Sequence, residues 1–162
     1  MSTTALYEEA LGEAESQAAV ILAPKLKLTV GEDLFIGFNP GVCDAAVFEI
    51  GGIRNPDCVH NNQAHVFHFG GTLTLFNRDR RELQKMVMRV IGASPFAEEE
   101  GQEGIEDTNI LQLRVSGNEG CISGSSIVEI QPEGENDPVE VWKLTVDLDI
   151  VFDCGERLEG GY

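Results

Sequence analysis

The sequence predicts a one-domain α+β fold: a mostly antiparallel β-sheet with two helices packed on one face. Three observations predict it. Apolar residues fall at helical spacing in two segments, one at the start of the chain and one in its middle. Between and after them the pattern switches to the strict alternation of half-buried strands. The 162 residues, 42% of them apolar with eight Phe, suffice for one sheet-and-helix core and not comfortably for two. One domain is expected over residues 1–162, with a flexible acidic loop at 94–109 and a short C-terminal tail at 154–162.

Residues 4–22, TALYEEALGEAESQAAVIL, place Leu6, Ala10, Ala14, Ala18 and Ile21 on one side and glutamates on the other. This predicts an amphipathic helix with a small-residue face suited to close packing, capped by Thr4 and ended before Pro24. LFIGF at 34–38 and AAVFEIGG at 45–52 read as two strands joined by the turn residues NPGVCD. IRNPDCVHNNQA at 53–64 reads as a loop. In HVFHFGGTLTLFNRDRRELQKMVMRVIG, residues 65–92, Phe67, Phe69, Leu73 and Leu75 share one parity while His68, Thr72 and Thr74 share the other. That is a strand with one buried and one polar face, and Gly70-Gly71 within it predicts a bulge or a close backbone contact.

Asp79 with Glu82 three residues later reads as a capping box. Leu83, Met86, Val87, Val90 and Ile91 then form a helical stripe that stops at Gly92. Residues 94–109, rich in acids and without a base, are expected to be mobile. ILQLRV at 110–115 and SSIVEI at 125–130 read as short strands. VEVWKLTVDLDIVF at 139–152 sets Trp142, Leu144, Val146, Leu148, Ile150 and Phe152 on one face. At about 3.3 Å per residue this strand is roughly 46 Å long, and it is expected to outrun its own sheet. The chain contains no internal repeat and no low-complexity tract.

Eleven basic against 28 acidic residues leave a formal net charge of −17. Ordinary phosphate-backbone binding is disfavoured by such a charge. It serves either solubility alone or a surface that DNA passes without sticking. Cys43, Cys58, Cys121 and Cys154 are scattered without a CxxC, which fits reduced thiols in a cytoplasm, and no secretory leader is recognised. No apolar run reaches the roughly 18 to 20 residues of a membrane span, so no membrane partner is expected.

Catalytic chemistry finds little footing. Cys58, His60, His65 and His68 are the one group of metal-ligand types, but their spacing lacks the paired ligands of a zinc site, and exposed or satisfied histidines are the expected reading. There is no nucleophile elbow, P-loop or dinucleotide fingerprint, and GFNPG and GCISGSS read as turns. No catalytic residue, cofactor or metal is assigned, and the protein is not expected to be an enzyme. RDRR at 78–81 is the basic cluster; it is either a solvated first helical turn or a contact to a neighbouring subunit, its charges met by acids such as those of the 98–107 loop.

The order of elements then matters. A leading helix, HFGGTLTLFNRDRRELQKMVMRVIG as strand, turn and helix, a polar insertion, and the closing strand VEVWKLTVDLDIVF running into the acidic turn FDCGE resemble the tail terminator (tail completion) proteins of long-tailed bacteriophages. The resemblance spans roughly residues 4–153 and is one of pattern and order. The acidic insertion and the charge of −17 depart from it. It implies a structural virion protein forming a homo-oligomeric ring, a hexamer, that caps the tail tube and joins it to a head-proximal connector or neck protein. The genome would pass through the lumen without specific binding. The protein would reside in the virion tail, and in the host cytoplasm during assembly. On that reading Arg78, Arg80, Arg81, Glu98, Glu99, Glu100, His68, Thr72 and Thr74 are candidate subunit contacts. A related neck or minor tail protein, or a small-molecule or metal-binding domain around Cys58 to His68, are the alternatives.

Overall fold

The computed structural model describes residues 3–53, 66–98, 109–117 and 120–153, with side chains from Glu9 onward. Its elements are α1 (Thr3–Leu26), β1 (Leu34–Ile36), β2 (Ala45–Ile53), β3 (Val66–Asn77), α2 (Arg80–Ala93), β4 (Ala97–Glu98), β5 (Ile110–Val115), β6 (Ser126–Ile130) and β7 (Val139–Asp153). They form the expected α+β architecture. One seven-stranded sheet has the order β1-β2-β3-β7-β5-β4, with β6 also on β7, and both helices enter the single apolar cluster on its inner face. The sheet is mixed: β1 and β2 run parallel and every other pair is antiparallel.

Ala10, Ala14 and Ala18 of α1 are buried, joined by Leu22 and Leu26 one and two turns on, so the small-residue face does lie against the core. The helix does not stop before Pro24. It carries Pro24 in its last turn, where the missing N–H would have served the carbonyl of Val20, a residue 62% exposed whose carbonyl water can reach. The end is set instead at Lys27, which takes φ +59°. Its N–H donates to Pro24 O at 3.4 Å and that of Leu28 to Ala23 O at 2.8 Å, the two bonds of a Schellman end, here built on a lysine rather than a glycine. Thr4 lies inside the helix, which starts at Thr3, and so is not its cap.

The strands β1 and β2 are parallel because residues 37–44 carry the chain back to its starting level instead of reversing it. Gly37 and Gly41 adopt φ +87° and +112°, and the Asn39 carboxamide accepts from the N–H groups of Gly41 and Val42 at 2.9 and 2.8 Å. Strand β3 keeps the predicted parity, with Phe69, Leu73 and Leu75 buried. Its register against β7 is unbroken from Val66↔Asp153 to Asn77↔Trp142. The bulge expected at Gly70-Gly71 sits in the partner strand, between Ile50 and Gly52 of β2. The glycines answer to the other expectation, close approach: a Cβ on Gly71 would stand 2.8 Å from Cε2 of Phe48 and 3.2 Å from Cδ1 of Ile150.

Asp79 caps α2, its carboxylate accepting from the N–H groups of Arg81 and Glu82 at 2.8 and 3.4 Å. The reciprocal half of the capping box is not made, because Asn77 Oδ1 takes the Asp79 N–H and Glu82 pairs with Lys85. Leu83 and Val90 are buried, whereas Ile91 is 42% exposed. The helix passes Gly92 to Ala93, and the Ser94 N–H closes it on Val90 O. Residues 94–109 are not wholly loop, since Phe96 and Ala97 are buried and β4 pairs Ala97 with Leu113. The apolar pair docks the start of this segment before the acids begin.

The long strand β7 does not outrun the sheet. On one edge β3 pairs with it over twelve residues, and on the other β5 and β6 follow one another along it. Between those two, Ser116, Cys121 and Ser123 continue the bonding to Asp147 and Thr145. Residues 110–117 and 120–130 thus lie as one interrupted strand beside β7, and Val146, Leu148, Ile150 and Phe152 are buried beneath the helices. Gly71→Ala should lower the stability by about 1–3 kcal/mol through overpacking. Gly52→Ala, with nothing within 4 Å of its Cβ, should stay within about 0.5 kcal/mol. The midpoints of urea denaturation read both.

Candidate interaction surfaces

Two surfaces emerge from this frame, one on the outer face of the sheet and one along α2. On the outer face His68, Thr72 and Thr74 of β3 stand half-buried beside Val151, Asp147 and Thr145 of β7 respectively. Asp149 lies opposite Gly70 on β3 and opposite Arg114 on β5. Around Thr72, Thr74, Thr145, Asp147 and Asp149 this face is hydroxylic and acidic, as the alternation predicted, whereas towards its other end Ala45, Val47, Ile130 and Val141 are buried on the same face. It is separated by the sheet from the helices, so the predicted contact residues that are described do not form one patch.

The basic cluster divides by position. The guanidinium of Arg78 pairs with Asp44, Nη2 to Oδ2 at 2.6 Å and Nε to Oδ1 at 3.3 Å, and its backbone N–H donates to the same Oδ1 at 3.0 Å. Among the described residues its acid is thus Asp44, just before β2, while residues 99–107 of the expected acidic loop lie outside the described residues. Burial pushes the Asp44 carboxyl up, but the hydrogen bonds and charge of Arg78 outweigh it and hold Asp44 below its ordinary value. Arg80 sits 5.2 Å above the Trp142 ring, a cation–π contact that ties the helix start to β7. Arg81 points to solvent, and Glu98 is exposed on β4. Glu99 and Glu100 lie outside the described residues.

Cys58, His60 and His65 also lie outside the described residues, as does the predicted loop from 54 onward. Among the described residues no three metal-type side chains converge, and Cys43 and Cys121 are free thiols. Two clefts flank the 37–44 connection. One of ≈ 440 Å³ lies between that connection and the sheet, lined by Phe38, Phe76, Ile130 and Lys143 among others. The other, of ≈ 570 Å³, surrounds the Asp44–Arg78 pair and reaches Cys43 and Glu133.

Several features of these surfaces had no signal in the sequence. Asp44 and Arg78 are 34 residues apart, and nothing local marks them as partners. The same holds for Trp142 beneath Arg80. The exposure of Ile91 (42%) was equally hidden, because it sits in the apolar stripe that reads as buried, and nothing local marks Ile127 (53%) as exposed.

Compared with known families and with curated proteins, the sequence matches no family model and no curated protein.

The half-buried carboxyl of Glu15 on α1 is pushed up by burial; a hydrogen bond from the Ile50 backbone opposes this and the charge of Glu49 adds to it. A raised folded pKa favours the protonated form, so its stabilising contribution is present at low pH and lost as pH rises through that pKa. Asp44 is the opposite case, stabilising at neutral pH and losing that contribution as pH falls through its depressed pKa. Glu15→Gln should therefore raise the melting temperature at pH 7 by about 1–3 °C, with the difference vanishing at acid pH. Asp44→Asn should lower it at pH 7 by a similar or smaller amount, since the pair is largely solvated. Thermal melts across pH check both signs.

Proposed function

We propose that the protein is a structural subunit of a long-tailed phage virion, a tail terminator whose copies close a ring over the tail tube and join it to the neck. The order of helix, strand–turn–helix and long closing strand supports the family. The observation that supports an assembly role is the surface along and beside α2. There Met88 and Ile91 expose apolar side chains on a helix that also holds a concentration of arginine and lysine on an otherwise acidic chain. Single exposed apolar residues are ordinary, but apolar and basic side chains together on one flank have the composition of a protein contact. In such a ring the polar outer face with Thr72, Thr74, Asp147 and Asp149 suits a lumen, because like charge discourages phosphate contacts and lets a genome slide.

A second reading, a small-molecule-binding domain, is favoured by the cleft between Phe38, Phe76, Ile130 and Lys143. The two separate by imaging and mass. Negative-stain images should show rings with a central hole, about six copies each, and the solution mass should approach six times 17.6 kDa. A mass of one chain, both alone and with the tail tube protein present, would overturn the ring.

A further inference from the structure

The charge of this chain is segregated by position. Residues 78–89 hold five of its eleven lysines and arginines: Arg78, Arg80, Arg81, Lys85 and Arg89. Arg78 is engaged by Asp44, Lys85 by Glu82, and Arg80 by the Trp142 ring. Arg81 and Arg89 have no ion-pair partner among the described residues; Arg89 only reaches Leu26 O at 3.4 Å. On the helical wheel Arg81, Lys85 and Arg89 form one stripe, and Met88, the most exposed apolar residue of α2, lies at the edge of that stripe. The helix thus presents a cationic stripe with an apolar knob along its edge.

The hairpin of β6 and β7 is the opposite. Glu129, Glu133, Glu135, Asp137 and Glu140 are all exposed, and no base occurs from 129 to 140. Glu129 and Glu140 are direct cross-strand partners. Like charges in that position repel and weaken the pairing. The neighbouring rung on the same face is Ile127 opposite Trp142, and Ile127 is left uncovered. A pair of facing carboxylates beside an uncovered isoleucine calls for a partner that brings positive charge and an apolar side chain together. Within this chain α2 supplies both.

We propose that α2 of one copy docks on the β6–β7 hairpin of a second copy, Arg81, Lys85 and Arg89 meeting Glu129 and Glu140 while Met88 covers Ile127. The proposal rests on the reading of the protein as an assembly subunit and names the two surfaces that meet. Copies approaching helix to helix or hairpin to hairpin repel, so the contact has a defined polarity.

Two charge-reversed chains test it: Arg81→Glu with Arg89→Glu, and Glu129→Lys with Glu140→Lys. All four positions are exposed, so circular dichroism should remain that of the parent. In sedimentation velocity the parent should associate at about 50 mM salt and dissociate at about 500 mM. Each reversed chain alone should associate at least about tenfold more weakly. An equimolar mixture of the two should recover assembly, because the acidic helix of one meets the basic hairpin of the other and the remaining contact is native. Met88→Ser should weaken the parent without altering the salt dependence. Association unchanged by both reversals, or lost in both and not recovered on mixing, would overturn the docking while leaving the assembly reading standing. No association by the parent or by the mixture, both alone and with the tail tube protein present, would overturn both.

Discussion

Everything in this sheet depends on β7 being bonded along both edges. β3 occupies one edge for twelve residues, the broken strand β5–β6 occupies the other, and the remaining strands hang on these: β2 on β3, β1 on β2, β4 on β5. From Trp142 onward the strand has neighbours on both edges and satisfies its backbone groups inside the fold, while Val139, Glu140 and Val141 pair with β6 alone. Its side chains, alternating strictly, deliver Val146, Leu148, Ile150 and Phe152 to the helices. The outer set carries Thr145, Asp147 and Asp149, with Val141 buried at its other end. One alternation therefore fixes both the core and the polar face.

The same constraint explains where backbone space is tight. Because β3 must stay in continuous register with β7 while β2 bends away at its bulge, the inner face at Gly71 has room for the Phe48 ring and Ile150 and for no side chain of its own. Helix α1 meets a similar limit and answers it with alanines at Ala10, Ala14 and Ala18. Packing here is close because small residues stand where elements cross, a density that leaves little tolerance for an added methyl.

What the sequence disclosed followed from local periodicity. Strand β3, strand β7 and helix α2 were legible because alternation, the Asp79 cap and the 3.6-residue stripe are short-range signals. The parallel pairing of β1 and β2 was not, since it depends on the route of residues 37–44 and not on either strand. Pro24 misled because a proline in the last helical turn costs only one carbonyl its partner, and the Schellman end at Lys27 lacked the expected glycine. Phe96 and Ala97 were masked by the acids that follow them. In the candidate surfaces the basic run at 78–81 was visible, but its division among Asp44, the Trp142 ring and solvent is a matter of tertiary distance. No residue type reports that.

The division has a mechanical meaning. Arg78 and Arg80 are spent on fastening the start of α2 to β2 and β7, so they belong to the integrity of the monomer. Arg81, Met88 and Arg89 contribute little to the buried cluster, and Ile127 with Glu129 contributes little to the hairpin beyond its backbone. Residues of the second kind can carry charge repulsion and exposed apolar area at small cost, because solvent screens the first and the core does not need the second. A protein whose role is to meet other proteins gains from that separation. Its sheet can stay fixed while the side chains that choose the neighbour vary on surfaces the fold does not use.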